Sequence, residues 1–260
     1  MRLWVHESMR IFRDRLTDVP DRDWFDAMQA QLVADKFKKE WSKLKVCERC
    51  VFGDYMVPGA DPRLYVEVSD LAALRKTMES YLDDYNAQTN KPMGLVLFLD
   101  AIEHVSKISR ILRQPKGNAL LLGVGGSGRQ SLTRLAIYCG EMEEFQIEIA
   151  KGYGKNEWRD DVKKVLMRAG KDNKQTVFLF SDAQIVMESF LEDINNVLNS
   201  GEVPNIFDLA DQDMITQAIR PVCQAEGIAL TKANMYERFL ARVQVGQRRE
   251  PGVLAHVPAA

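Results

Sequence analysis

Three kinds of residue in this chain have the types and spacing to do chemistry together. They are the glycines Gly123, Gly125, Gly126 and Gly128, the polar group Ser127, Arg129, Gln130 and Ser131 that follows or interrupts them, and the carboxylate Asp182. The glycines lie between the short apolar run Ala119 to Leu122 and an amphipathic segment that starts near Gln130. Strand, glycine-rich loop and helix, in that order, is the context in which a glycine pattern predicts a phosphate cradle. Glycine lets backbone N–H groups approach an anion closely. The unpaired N–H groups and positive dipole end of the helix that follows favour the same charge. The competing reading is a glycine-rich strand-to-helix turn with no ligand.

The loop departs from the consensus G-x-x-x-x-G-K-[ST]. Gly123 and Gly128 keep the spacing, but Arg129 stands where lysine belongs and Gln130 where the magnesium-binding hydroxyl belongs. Arg129 keeps the positive charge, although its planar fork is not a compact ammonium. Gln130 offers a carbonyl oxygen, a poorer magnesium partner than a hydroxyl. Ser131 or Ser127 can substitute, and the spacing does not choose between them.

A phosphate cradle of this kind also needs an acidic residue at the end of a buried strand to hold Mg²⁺. Val177-Phe178-Leu179-Phe180 is a fully apolar run of the β-rich kind found at central positions. It leads into Ser181-Asp182-Ala183, where a full motif would read Asp-Glu. In either register one carboxylate stands where two are wanted. Asp182 is the candidate metal ligand, and its alternative role is to cap the next turn. Weak hydrolysis follows in both cases, because charge at the reacting centre is less well organised.

The elements that must position these residues alternate. Helices are predicted over Gln130 to Gly140, Asn156 to Ala169 and Glu188 to Leu198, with strands at Phe145 to Ile149 and Val177 to Phe180. Such alternation argues for a parallel sheet with flanking helices. Leu95 to Leu112 is read as a helix on the spacing of Phe98, Ile102, Val105, Ile108 and Leu112, against a strand alternative for Leu95 to Leu99. Upstream, Leu3, Trp4, Ile11, Phe12 and Leu16 suggest an apolar stripe on a helix from Arg2 to Leu16. A second helix runs from about Arg22 to Lys45, capped by Asp18 or Asp21. Asp54 to Pro62 is a loop and Leu64 to Val68 a short strand. Leu71 to Asn86 is a helix capped by Ser69 or Asp70.

The bounds set by composition are ordinary. The 260 residues are 46% hydrophobic and 28% charged, which suits one large globular domain or two small ones. A net charge of −2 gives no electrostatic case for nucleic acid or an anionic membrane. No apolar run reaches the roughly 18 residues that span a bilayer, and charge interrupts the N-terminus too early for a signal peptide. Cys47 and Cys50 form a lone C-x-x-C beside only three histidines, so reduced thiols in a cytosolic protein are preferred over a zinc or redox site.

The stretch Gly117 to Leu135 closely resembles the P-loop region of the fourth AAA+ module of axonemal dynein heavy chains. Phe145 to Ile149, Glu157-Trp158-Arg159, Val177 to Gln184 and Asn199-Ser200-Gly201-Glu202-Val203-Pro204 resemble the blocks that follow in that module. Leu3-Trp4-Val5-His6-Glu7 and Asp14-Arg15-Leu16 are similar to the end of the preceding module. The resemblance covers about residues 1–243. It implies an α/β fold, a P-loop NTPase parallel sheet of AAA+ type with flanking helices, preceded by a helical segment. The implied division is a helical end of the preceding module (1–45), a connecting segment (46–92), the nucleotide-binding domain (93–242) and a tail (243–260).

The resemblance further implies ATP or ADP with Mg²⁺, bound by Gly123, Val124, Gly125, Gly126, Ser127, Gly128, Arg129, Gln130 and Ser131, with Asp182 near the metal. The family is an ATP-driven ring of six modules that moves along microtubules and bends cilia and flagella, and its fourth module is thought to be regulatory. Implied partners are the other modules and the dynein intermediate and light chains, with microtubules reached only through the parent motor. The implied location is the axonemal cytoskeleton of the cytoplasm. Residues 243–260 leave the family pattern, and their Gly, Pro and Ala lack periodicity. They are therefore expected to be disordered, with the C-terminal part of the module missing and a central strand lost. An exposed strand edge and marginal stability would follow.

Overall fold

The computed structural model describes residues 1–44 and 51–244, together with the backbone of 252–257. The chain divides into two compact units, one formed by Met1–Asp84 with Val96–Lys107 and the other by Tyr85–Leu95 with Ile108–Ala260. The Cys47 and Cys50 pair lies outside the described residues. None of the described helices is long and apolar enough to cross a membrane.

The first unit opens with α1 (Arg2–Ile11) and, after a short 3-10 turn at Arg13–Arg15, α2 (Val19–Phe37). The expected apolar stripe on α1 is not the buried face. Leu3, Trp4, Ile11 and Phe12 are exposed, whereas Val5 and His6 are buried. The reason is the partner surface: Val5 packs with Val33 and Leu44, flanked by Met9 and Trp41. On α2 the buried positions are Phe25, Gln29 and Val33, and Trp24 and Phe37 are exposed. The helix starts earlier than predicted, with Pro20 in its first turn, and ends at Phe37, where Lys38 turns left-handed. Trp41–Leu44 is a separate 3-10 turn.

β1 (Val51–Gly53) pairs antiparallel with β2 (Val66–Val68). The loop predicted over Asp54 to Pro62 lies between them. α3 (Leu71–Gln88) is capped as predicted, since Asp70 Oδ1 accepts from the Ala72 and Ala73 amides at 2.9 and 3.0 Å. α4 (Leu99–Arg113) starts four residues later than the spacing suggested. Leu95 to Phe98 is neither helix nor strand. Phe98 is exposed, while Ile102, Val105, Ile108 and Leu112 are buried as expected.

The second unit carries the parallel sheet. β3 (Ala119–Leu120) leads through the glycine loop to α5 (Arg129–Cys139), then β4 (Glu143–Phe145), α6 (Lys155–Gly170), β5 (Thr176–Ser181), α7 (Ser189–Ser200), α8 (Leu209–Glu226), α9 (Lys232–Gln244) and β6 (Gly252–Val257). β4 lies two residues before its predicted start, because Glu143–Phe145 is the stretch that pairs with Thr176–Phe178. The strand order is β3-β6-β5-β4, with every pairing parallel.

This order corrects the expectation of a lost central strand. Gly252–Val257 occupies the slot between β3 and β5, paired with Ala119–Leu120 on one side and Thr176–Ser181 on the other. The segment Gly-Val-Leu-Ala-His-Val lacks a clean alternation, but a central parallel strand is covered on both faces and needs none. The backbone edge expected between β3 and β5 is therefore paired.

The core of this unit is aromatic. Trp158, Phe180, Phe190 and Phe239 are completely buried. Trp158 stacks on Phe190 with centroids 4.3 Å apart and planes at 6°, and lies 5.4 Å from the Phe180 ring. Its indole N–H donates to Asp193 Oδ2 at 2.9 Å. Residues from α6, β5 and α7 thus meet in one cluster. α9 reaches α6 through a close approach at Gly170, where a Cβ would lie 2.3 Å from Phe239 Cε2. α8 and α9 are joined by Arg238, whose fork donates to both Glu226 carboxylate oxygens at 2.6 and 2.7 Å. That contact, above all its hydrogen bond, holds the Glu226 carboxyl below its ordinary pKa.

Trp158→Ala is expected to destabilise the chain by about 3–5 kcal/mol, and Gly170→Ala by about 1–3 kcal/mol through overpacking against a ring that cannot retreat. Urea unfolding followed by far-ultraviolet circular dichroism measures both.

Candidate nucleotide site

The site is built where the parallel strands end. β3 stops at Leu120, and three residues later the loop Gly123–Gly128 begins. Gly126 and Gly128 have φ of +74° and +76°, a left-handed conformation that disfavours a Cβ. Gly128 is the N-cap of α5, and its carbonyl accepts from the Leu132 amide at 2.8 Å. The loop is exposed from Leu122 through Ser127, and Gly128 to Ser131 are half-buried. Open N–H groups at a helix N-terminus, on a backbone that glycine keeps bare, form an anion-binding arrangement.

Arg129 is the first residue of α5, and its side chain turns back across the loop. Nη1 donates to the Leu121 carbonyl at 3.4 Å and Nη2 to the Val124 carbonyl at 3.2 Å. A Cβ added to Gly123 would lie 3.5 Å from Arg129 Cδ and 3.4 Å from Ser127 Oγ. The guanidinium therefore closes the loop from within. A phosphate that recruits it must replace two carbonyl contacts, an exchange that favours the anion because charge-assisted bonds between opposite charges are the stronger kind.

α5 is held firmly behind the loop. Leu132, Thr133, Leu135, Ala136 and Ile137 are buried, and the Thr133 hydroxyl donates to the Arg129 carbonyl at 2.8 Å. Arg134 ties the helix to the far side of the sheet, with Nε to Glu144 Oε1 at 2.9 Å and Nη2 to Gln146 Oε1 at 2.7 Å. In front, Asn86 clamps the Met93 backbone in both directions: its amide donates to the Met93 carbonyl at 3.0 Å and its Oδ1 accepts from the Met93 N–H at 2.8 Å. That clamp orients the chain leading to Leu95, which approaches Gly128.

Asp182 follows β5 directly. Leu120 and Phe180 both stand in register with position 256 of β6, so they share one row two strand spacings apart, about 10 Å. The loop and Asp182 thus emerge from the same carboxyl edge of the sheet, where open parallel sheets bind ligands. Asp182 is half-buried and starts a single 3-10 turn through Gln184. Ser181, which takes the first acidic position in one of the two registers, is buried, and its hydroxyl donates to Gln184 Oε1 at 3.1 Å.

Among the described residues, no group of three or more His, Cys, Asp or Glu forms a metal cage. The donors at this edge are hard oxygens: the Asp182 carboxylate, the Ser127 and Ser131 hydroxyls and the Gln130 amide oxygen. One carboxylate completed by phosphate oxygens and water suits Mg²⁺, which is rarely held by an all-protein cage. The donor set fits that ion.

The sequence reading missed Gln184. It is buried, and its carboxamide makes three hydrogen bonds. Ser181-Asp182-Ala183-Gln184 spells S-x-x-Q, the capping-box spacing, which was the available signal. Asn86, which holds the chain ahead of the loop, was read only as the end of a helix.

A family profile described as P-loop containing dynein motor region D4 matches residues 93–246. The chain belongs to the dynein motor family. It is 50% identical over 245 residues to mouse (Mus musculus) dynein axonemal heavy chain 1, covering 94% of this chain and 6% of that protein. The human (Homo sapiens) heavy chain 1 is 49% identical over 244 residues, again with 94% and 6% covered. Mouse dynein axonemal heavy chain 3 is 42% identical over 256 residues, covering 93% of this chain and 6% of that one. This dynein chain spans about 6% of the length of these curated relatives.

In the absence of ligand, Gly128→Ala is expected to cost about 1–2 kcal/mol, because alanine must adopt the left-handed conformation. Gly123→Ala, at a position without positive φ and with only ordinary van der Waals contacts for its Cβ, is expected to be neutral or stabilising by up to about 1 kcal/mol. Denaturant unfolding of the two variants side by side provides the check.

Proposed function

We propose that this chain is a nucleotide-binding AAA+ piece of an axonemal dynein heavy chain, and that its P-loop takes ATP or ADP with Mg²⁺. The observation that carries the reading is the shared carboxyl edge: a glycine loop with two left-handed glycines capping α5, and Asp182 one strand away across β6. In this proposal the amides of Gly123, Val124, Gly125, Gly126, Ser127 and Gly128 enclose the phosphates. Arg129 leaves the Leu121 and Val124 carbonyls to pair with phosphate oxygens. Gln130 and Ser131 open the helix beneath them, and Asp182 orients the metal's water shell. Bound Mg²⁺ would neutralise phosphate charge.

The arrangement supports binding more than turnover. Gln130 replaces the usual magnesium hydroxyl, Ala183 stands where a catalytic acid would stand, and the Ser181 hydroxyl is engaged by Gln184. Removing well-placed charge stabilisers costs a reaction orders of magnitude in rate. We therefore assign this module a regulatory role with weak or no hydrolysis. Its place is within the ring of an axonemal motor in the cytoskeleton of cilia and flagella. The other modules and the intermediate and light chains are its partners, and microtubules are engaged only by the parent motor.

A second reading draws on Arg129 itself. A guanidinium satisfied by the loop's own carbonyls is also what a purely structural P-loop would contain. Calorimetric titration with ADP and ATP in Mg²⁺ separates the two. Nucleotide binding that weakens about 10- to 100-fold in Arg129→Ala, the loss of one charge-assisted contact, is the expected outcome. A folded wild-type chain that gives no heat would establish the structural reading instead.

A further inference from the structure

Gln184 is a buried polar side chain two residues beyond the candidate metal carboxylate, and the reading above gives it no role toward the metal. Its Oε1 accepts from the Ser181 backbone N–H at 2.8 Å and from the Ser181 hydroxyl at 3.1 Å. Its Nε2 donates to the Ile147 carbonyl at 2.7 Å. Ile147 is buried two residues beyond the end of β4, where the ladder with β5 has stopped at Phe145 and Phe178. The carboxamide thus stands in for the next rung of the sheet. It joins the chain leaving β4 to the turn leaving β5, and Asp182 is the first residue of that turn. The Ile185 amide closes the same turn on the Asp182 carbonyl at 3.0 Å.

We propose that Gln184 is a positioning residue for the nucleotide site: by pinning the Ser181–Gln184 turn to the chain after β4, it sets where the Asp182 carboxylate lies and so how strongly Mg²⁺ contributes to nucleotide binding. This rests on the nucleotide reading given above. Asp182 stands at the head of a three-residue turn, which the Ile185 amide closes on the Asp182 carbonyl and the Gln184 carboxamide ties to the chain after β4. Partners that orient a ligating carboxylate are typically worth 10- to 100-fold in metal affinity. The same amide also engages the Ser181 hydroxyl as a donor, which turns that proton toward Gln184 rather than toward phosphate.

The test measures the affinity of the full chain for ADP in Mg²⁺ and in EDTA, for wild type, Gln184→Leu and Gln184→Met. Wild type is expected to bind more tightly with Mg²⁺. In Gln184→Leu that strengthening falls by about tenfold or more, while binding in EDTA stays close to wild type. Gln184→Met separates positioning from packing: it keeps the length of the side chain but can neither accept from the Ser181 N–H nor donate to the Ile147 carbonyl, so the same selective loss of Mg²⁺ strengthening is expected. A Gln184→Leu or Gln184→Met chain that keeps the full Mg²⁺ strengthening, or one that loses binding equally in EDTA and in Mg²⁺, overturns the positioning role and leaves nucleotide binding by the wild-type chain standing. A folded wild-type chain that binds no nucleotide overturns both.

Discussion

The site depends on one strand. All six residues of β5, Thr176 to Ser181, are buried, and the strand pairs in parallel on both edges. Burial on both faces requires the apolar run Val177-Phe178-Leu179-Phe180. Pairing on both edges fixes its register, since a shift of one residue would turn each side chain to the opposite face. Once that register is set, the strand must stop where apolar sequence stops, at Ser181-Asp182. The neighbours β3 and β4 are then aligned so that the glycine loop, the chain through Ile147 and Asp182 emerge at one edge. The aromatic stack of Trp158 on Phe190, against Phe180, covers one face of this strand with side chains from α6 and α7.

The same constraint explains which parts of the structure were legible in the sequence. α5, α6, β5 and α7 were readable because their apolar periodicity serves one local core and their ends carry local signals, such as the Gly201 that closes α7 with φ +80°. The P-loop was readable because its glycines have a conformational reason to be there. The N-terminal helices were misplaced on their axes because periodicity defines an apolar face only when one exists: Leu3, Trp4, Ile11 and Phe12 are as apolar as Val5 and Met9, and only the packing of Val33 and Leu44 distinguishes them. β6 was missed because six residues of mixed Gly, Val, Leu, Ala and His carry almost no local preference. Their strand state comes from the slot between β3 and β5. Gln184 was visible as a capping box, but its bond to Ile147 spans 37 residues and no local pattern announces it.

Under the proposed reading, the chemistry of the edge is that of a holder. Arg129 gives the loop a fixed internal partner in Leu121 and Val124, and it brings a bidentate fork rather than a mobile point charge. Ser181 and Gln184 spend their polar groups on one another and on the backbone. Asp182 is the carboxylate among the residues read as the site. Arg129 keeps the positive charge of the usual lysine, whereas Gln130 replaces the magnesium hydroxyl and, with Asp182 as the metal carboxylate, Ala183 replaces the second acid; the glycine backbone of the loop is untouched by these changes.

The most direct test of the central claim is where nucleotide meets the chain. Isotope-labelled chain titrated with ADP and Mg²⁺, observed through backbone amide resonances, reports position and binding together. The account predicts the largest shifts at Gly126, Ser127, Gly128 and Arg129, with smaller ones at Asp182 and Gln184. Saturable shifts confined to another surface, such as the roughly 500 Å³ cavity lined by Glu202, Phe207 and Tyr236, or an unchanged spectrum of the folded chain, would contradict it.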